Sequence, residues 1–114
     1  MPWNLDSDRP IFLQIVERLE SDIVSGKYAP GEKLPAVREL AVEAAVNPNT
    51  MQKACAELER IGLVYSQRTS GRFVTEDKER IDQTRKELAM KTVREFLQKM
   101  EELGIGRDEA MKLL

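Results

Sequence analysis

The chain has 114 residues, 41% hydrophobic and 33% charged, enough for one compact domain with a real core and a short appendage. With no His and a single Cys, Cys55, it has no means of building a zinc cluster, a thiol–imidazole pair or an internal disulfide, and a reducing, cytoplasmic setting is expected. The net charge of −2 is unusual for a nucleic-acid binder, and dividing the chain at Thr75 leaves nine Lys/Arg against ten Asp/Glu on each side.

In chain order, Met1-Pro2-Trp3-Asn4-Leu5-Asp6 lacks the basic-then-apolar order of a signal peptide, and the alternation from Trp3 to Asp6 predicts a short extended arm. Ser7-Asp8-Arg9-Pro10 offers a helix start, with Ser7 or Asp8 as cap and Pro10 near the first helical positions. Ile11, Ile15, Val16, Leu19, Ile23 and Val24 then recur on one helix face, and Gly26 stops the helix. Lys27-Tyr28-Ala29 reads as a brief extended piece and Pro30-Gly31 as a type II turn. Leu34-Pro35 starts a second helix with Val37, Leu40, Ala41 and Ala44 inward, and Ala45-Val46 breaks it.

Asn47-Pro48 is a strong restart, because Asn is a favoured cap and Pro is pre-organised for the first helical position. Met51, Ala54, Cys55, Leu58 and Ile61 supply the buried stripe of this third helix, which Gly62 ends. Leu63 to Gln67 and Arg72 to Thr75 predict two short strands around the loop Arg68-Thr69-Ser70-Gly71. From Glu76 a long, charged helix carries Ile81, Leu88, Val93, Phe96, Leu97, Met100 and Leu103 near helical spacing. Gly104 to Gly106 break it, and a last short helix from Arg107 or Asp108 holds Met111, Leu113 and Leu114. No internal repeat, low-complexity stretch or apolar run of membrane-spanning length interrupts this order.

The predicted fold class is mainly α with a small β-hairpin wing. A winged helix-turn-helix occupies residues 8–76, and a long and a short helix form a tail over 77–114. Such a domain places the first turn and exposed face of its second motif helix against base edges. Between Ala44 and Ala56 the only charged residue is Lys53, and from Leu63 to Thr75 the only ones are Arg68 and Arg72. The neutral overall balance therefore conceals a segregated surface, with an acid-free face where DNA would lie.

Pro10-Ile11-Phe12-Leu13-Gln14-Ile15, the segment from Ser25 to Pro35, Val37-Arg38-Glu39-Leu40-Ala41, Asn49-Thr50-Met51 and the run from Glu57 to Val64 together resemble the GntR family of bacterial transcription regulators, over roughly residues 8 to 75. The short two-helix tail, with Asn47-Pro48-Asn49-Thr50, resembles its YtrA-like branch. That resemblance implies a tail that serves dimerisation and regulation of transporter operons. It also implies DNA contacts by Arg38, Asn47, Asn49, Thr50, Gln52 and Lys53, and a wing tip of Arg68, Ser70, Gly71 and Arg72. Many members carry an Arg where Pro48 stands and a basic residue where Gln52 stands. Pro48 has no donor, whereas Gln52 has the groups for a bidentate pair with adenine.

Plainer readings stand beside these. Arg38 is open to an ion pair with Glu39 or Glu43, Asn47 to a helix cap and nothing more, Gln52 and Lys53 to a solvated face, and Gly71 to a turn. Cys55 reads as a small buried apolar group. The tail stripe needs a cover that the short helix supplies only in part. A two-fold dimer on Leu88, Val93, Phe96, Leu97 and Met100 is the economical solution, and it would set two recognition helices about one DNA turn apart.

The expected partners are thus double-stranded operator DNA and a second copy, with no membrane, no cofactor and no effector that the residues nominate. Regulator function leads. The alternatives are a winged-helix module for protein binding, an enzyme, for which no catalytic constellation is present, and a fragment of a larger regulator, against which Leu114 closes a helical tail.

Overall fold

The computed structural model describes residues 3–114; Met1 and Pro2, part of the opening hexapeptide discussed above, lie outside the described residues. The elements run α1 (Ile11–Val24), α2 (Val37–Ala44), α3 (Pro48–Arg60), β1 (Val64–Gln67), β2 (Gly71–Val74), α4 (Lys78–Glu102) and α5 (Arg107–Lys112). The mainly helical class with one antiparallel hairpin is as the sequence predicts. Ile15, Leu19 and Ile23 of α1, Leu40 and Ala44 of α2, and Met51, Ala54, Cys55 and Leu58 of α3 close one core with Leu63, Val64, Val74 and Ile81. The 3–4 spacing of these residues puts each set on one face, which is why three short helices bury a common centre.

Several boundaries differ from the sequence reading. Trp3 to Asp6 form no strand: Trp3 is buried, the Arg18 guanidinium lies 4.7 Å from its ring centre, and its indole N–H donates to Glu43 at 3.5 Å. The cap position of α1 is Pro10, not Ser7 or Asp8, and no side chain caps it. The buried Gln14 side chain ties the approach instead, donating to the carbonyls of Asp6 (2.8 Å) and Arg9 (3.0 Å) while accepting from Asp6 N–H (2.6 Å).

Lys27 to Ala29 are not a strand either, because Tyr28 turns into the core. The segment that does extend is Glu32 to Leu34, which joins the far edge of β2 through a bridge at Lys33 and Phe73. The Pro30-Gly31 turn stands as read, with Gly31 at φ 79° and Glu32 N–H donating to Ala29 C=O at 3.0 Å. The second helix starts at Val37, two residues past Pro35, and ends on Ala45 in the left-handed conformation (φ 59°).

At the start of α4 the Asp77 carboxylate accepts from Arg80 N–H (3.1 Å). Its first half lies on α1 through Ile81, Thr84 and Leu88. Arg85 donates from Nε and a terminal nitrogen to the Val24 carbonyl (3.1 and 2.9 Å), satisfying an acceptor that the end of α1 leaves open. Lys91 pairs with Glu17 at 2.7 Å. Leu88 is half-buried against the core of its own chain.

Beyond this point Met90 and Val93 are exposed, and Phe96, Leu97 and Met100 are half-buried. At about 100° per residue Met90, Val93, Leu97 and Met100 lie on the side of α4 away from α1, with Phe96 on its flank. Within α5 and after it, Ala110 is fully buried, while Met111, Leu113 and Leu114 are exposed.

Candidate nucleic-acid interface

The turn that presents α3 is built from three local choices. Ala45 reverses the chain in the left-handed region, Asn47 caps, and Pro48 supplies a helical φ with no N–H to satisfy. The Asn47 side-chain oxygen accepts from Asn49 N–H at 2.7 Å. Asn47 therefore caps α3. Asn49, Gln52 and Lys53 are exposed on the face opposite Met51, Ala54 and Leu58, and Thr50 is half-buried. Arg38 is exposed, with no ion pair or side-chain hydrogen bond among the described residues, and Glu43 accepts from Trp3 instead. The ion-pair reading of Arg38 therefore has no contact behind it.

The hairpin pairs Val64 with Val74, Tyr65 with Phe73, Ser66 with Arg72 and Gln67 with Gly71. Its tip is Arg68-Thr69-Ser70, closed by Ser70 N–H on Gln67 C=O (3.1 Å); Gly71 already belongs to β2. Gly71 has φ 107°, so its backbone conformation calls for glycine, and the Lys33 side chain closes over it, with Cε 3.1 Å from where a Cβ would stand. Tyr65 and Phe73 stack across the strands at 5.8 Å.

Because strand side chains alternate, Arg72 shares the face of the buried Val74 and points at α3. Its Nε donates to Glu59 (3.3 Å) and a terminal nitrogen to the Gln52 side-chain oxygen (3.5 Å), and the Ser66 hydroxyl donates to the same Glu59 oxygen (2.8 Å). The Arg72 side chain is 20% exposed against 40% for Glu59, so the guanidinium is the more enclosed partner.

Two expectations change. The acid-free windows stop at Ala56 and restart at Leu63, and the fold carries Glu59 from that gap to the wing. Arg72 is not part of the wing tip, where Arg68 and Ser70 remain exposed. The sequence reading missed Glu59 and Ser66, for which the only signal was strand alternation from Val74.

A cleft of about 700 Å3 opens between Lys33 to Val37 on one side and Thr69 to Arg72 on the other. Lys33 stands at its lip over Gly71, another residue the sequence reading missed. Cys55 lies at its floor, with burial pushing the thiol up from its ordinary value, in keeping with an inert apolar role.

A pair of helices meeting at a tight turn, an exposed second helix and a paired wing beside it define a winged helix-turn-helix of the DNA-binding type. The model of the bacterial regulatory proteins of the gntR family matches residues 12–74, and the chain belongs to that family. The chain is 38% identical over 112 residues to the HTH-type transcriptional regulator YhcF of Bacillus subtilis, covering 98% of this chain and 93% of YhcF. It is 42% identical over 71 residues to the HTH-type transcriptional repressor YtrA of the same organism, covering 62% of this chain and 55% of YtrA.

Among solved structures, a GntR family transcriptional regulator from Listeria monocytogenes superposes with a TM-score of 0.86 at 40% identity, over 96% of each chain. The DNA-binding domain of AraR in complex with operator ORR3 superposes with a TM-score of 0.57 at 33% identity, over 66% of this chain and 90% of that one. The chain is therefore a DNA-binding transcription regulator of the GntR family and YtrA-like kind, and its relatives are regulators rather than enzymes. No described helix is long and apolar enough to cross a membrane.

Proposed function

We propose that the chain is a cytoplasmic, dimeric repressor that binds an inverted-repeat operator of a transporter operon. In this reading Asn49, Thr50, Gln52 and Lys53 face base edges, and Arg38, Arg68 and Ser70 hold the sugar-phosphate chain. Asn47 aims α3, and Gly71 allows the wing to approach. The observation that carries the reading is the exposed, acid-free first half of α3 beside a basic wing tip, on a scaffold that AraR uses on its operator. The name of the relative YtrA supports repression.

The dimer rests on the outer face of α4, where Met90 and Val93 are 59% and 55% exposed beside Phe96, Leu97 and Met100. A two-fold axis would make this stripe its own complement.

Fluorescence anisotropy with duplexes from the promoter beside the gene tests the reading. Log affinity is expected to fall linearly with log salt, because phosphate contacts release counterions. Arg38→Ala is expected to weaken binding and flatten that slope by about one, at unchanged melting temperature. Affinity that does not respond between about 50 and 200 mM salt would rule out the phosphate-contact reading. Sedimentation at micromolar concentration decides the dimer: a monomer removes it, and Val93→Glu is expected to produce one.

A further inference from the structure

The contact at the base of the wing carries an inference that deepens the DNA-binding reading and rests on it. We infer that Glu59 is a positioning residue for the wing. One carboxylate oxygen on α3 receives hydrogen bonds from both strands of the hairpin, and so sets where Arg68 and Ser70 stand relative to the base-facing turns of the same helix.

The hairpin has four residues in each strand, too few to hold a fixed place by its own pairing. Val64 and Val74 bury its base in the core, and the segment from Glu32 to Leu34 hydrogen-bonds along β2 only as far as Arg72. Two residues further out, on the face of Val64 and Val74, stand the cross-strand partners Ser66 and Arg72. There the apolar packing gives way to Glu59, whose Oε1 accepts from the Ser66 hydroxyl at 2.8 Å and from Arg72 Nε at 3.3 Å. A carboxylate oxygen has two acceptor sites, so one atom serves both strands. Beyond this level residues 67–70 make no ion pair or side-chain hydrogen bond among the described residues, and the tip is carried by what lies below it. Glu59 stands two turns along α3 from Gln52, so the clip and the base-facing residues belong to one rod.

An exposed ion pair adds little to stability, and a carboxylate has the wrong charge for a DNA-binding face. On electrostatic grounds alone, removing Glu59 should tighten DNA binding by taking a repulsion away from the phosphates. The clip predicts the opposite sign, because a released tip has to be ordered anew each time the wing meets DNA.

Anisotropy with the full chain and the promoter duplex tests this. Glu59→Ala is expected to weaken binding by roughly two- to ten-fold, the range for ordering one rotamer-rich side chain at an interface. Glu59→Gln, which drops the charge and keeps the acceptor, is expected to bind at least as tightly as the wild type. Arg68→Ala is expected to cost less in the Glu59→Ala background than in the wild type. That coupling should reach about two-fold or more, although Arg68 and Glu59 share no hydrogen bond. Should Glu59→Ala melt below the assay temperature, Ser66→Ala replaces it in the cycle with Arg68, with a smaller loss and the same sign of coupling.

Three results overturn the inference while leaving DNA binding intact. Glu59→Ala that binds as tightly as the wild type, or more tightly, makes Glu59 no more than a charge. Arg68→Ala that costs the same in both backgrounds makes the place of the tip independent of Glu59. Glu59→Gln that loses as much as Glu59→Ala removes the hydrogen bonds as the cause. A wild type whose binding to the duplex does not respond to salt fails the DNA-binding reading itself, before any variant is compared.

Discussion

Replacing Asn47 separates the structural and the DNA-facing sides of the recognition turn. Its side-chain oxygen holds Asn49 N–H at 2.7 Å at an exposed position, so water replaces part of the lost bond in Asn47→Ala. A cap of this kind is worth ~1 kcal/mol within a range of about 0.5–2, and solvent access favours the lower half. For a chain of this size that corresponds to a melting temperature lower by about 2–5 °C. Asn47→Asp keeps the acceptor and adds an anion at the helix N-terminus, worth about 0.3–1 kcal/mol, so its melting temperature should match or exceed that of the wild type.

The same carboxylate enters the acid-free first turn of α3, and operator affinity should fall tenfold or more, about 1.4 kcal/mol. Circular dichroism melts and anisotropy at fixed salt measure the two quantities side by side. If the Asp variant melts as low as the Ala variant, the cap assignment is wrong. If it binds the operator as tightly as the wild type, the first turn of α3 does not face phosphates.

Two further outcomes follow from local geometry. Ala45→Gly relieves a left-handed alanine and should raise stability by about 0.5–1 kcal/mol net of the added unfolded-state freedom, read from denaturant midpoints at constant slope. Glu17 is held below its ordinary carboxylate range by its hydrogen bond to Lys91 and then by Arg9, with Glu20 and Glu95 as the acids nearby. A depressed carboxylate contributes stability above its unfolded value and loses it as the pH falls through the folded one. Melting temperature should therefore drop on acidification into and below the ordinary Glu range, and Glu17→Gln should flatten that drop. An unchanged profile in this variant rules out the link.

The order of elements was legible because each signal is local. Asn47-Pro48 states a helix start within two residues, Pro30-Gly31 a turn, and Gly62 a stop. The features that escaped are those a distant residue decides. The start of α1 is set by Gln14 reaching back over the turn from Asp6 to Arg9, which no cap rule anticipates. The third extended piece is chosen by where β2 offers free backbone groups, 40 residues further on, so Lys33 extends and Tyr28 does not.

Leu88 and Val93 both keep helical spacing with their neighbours, but periodicity in one dimension does not say which of two faces a residue joins. The charge count along α3 went astray for a related reason. It was taken in windows of sequence, whereas Glu59 reaches the wing through two turns of helix. Of the candidate site, residue types and turn chemistry were readable; the wiring between wing and helix was not.

The two faces of α4 make that helix a rotary coupling. Ile81, Thr84 and Leu88 clasp α1 on one side, and Met90 and Val93 look outward on the other, all within one uninterrupted rod of 25 residues. No proline or glycine interrupts it to absorb torsion. Whatever seats on the outer face is held at a fixed phase relative to α3. One residue inserted near Ala89 would turn that phase by about 100° and advance it by about 1.5 Å, so the outer face would point elsewhere although no contact surface is altered. Conversely, a four-residue insertion, close to one full turn, would restore the alignment while lengthening the rod by about 6 Å.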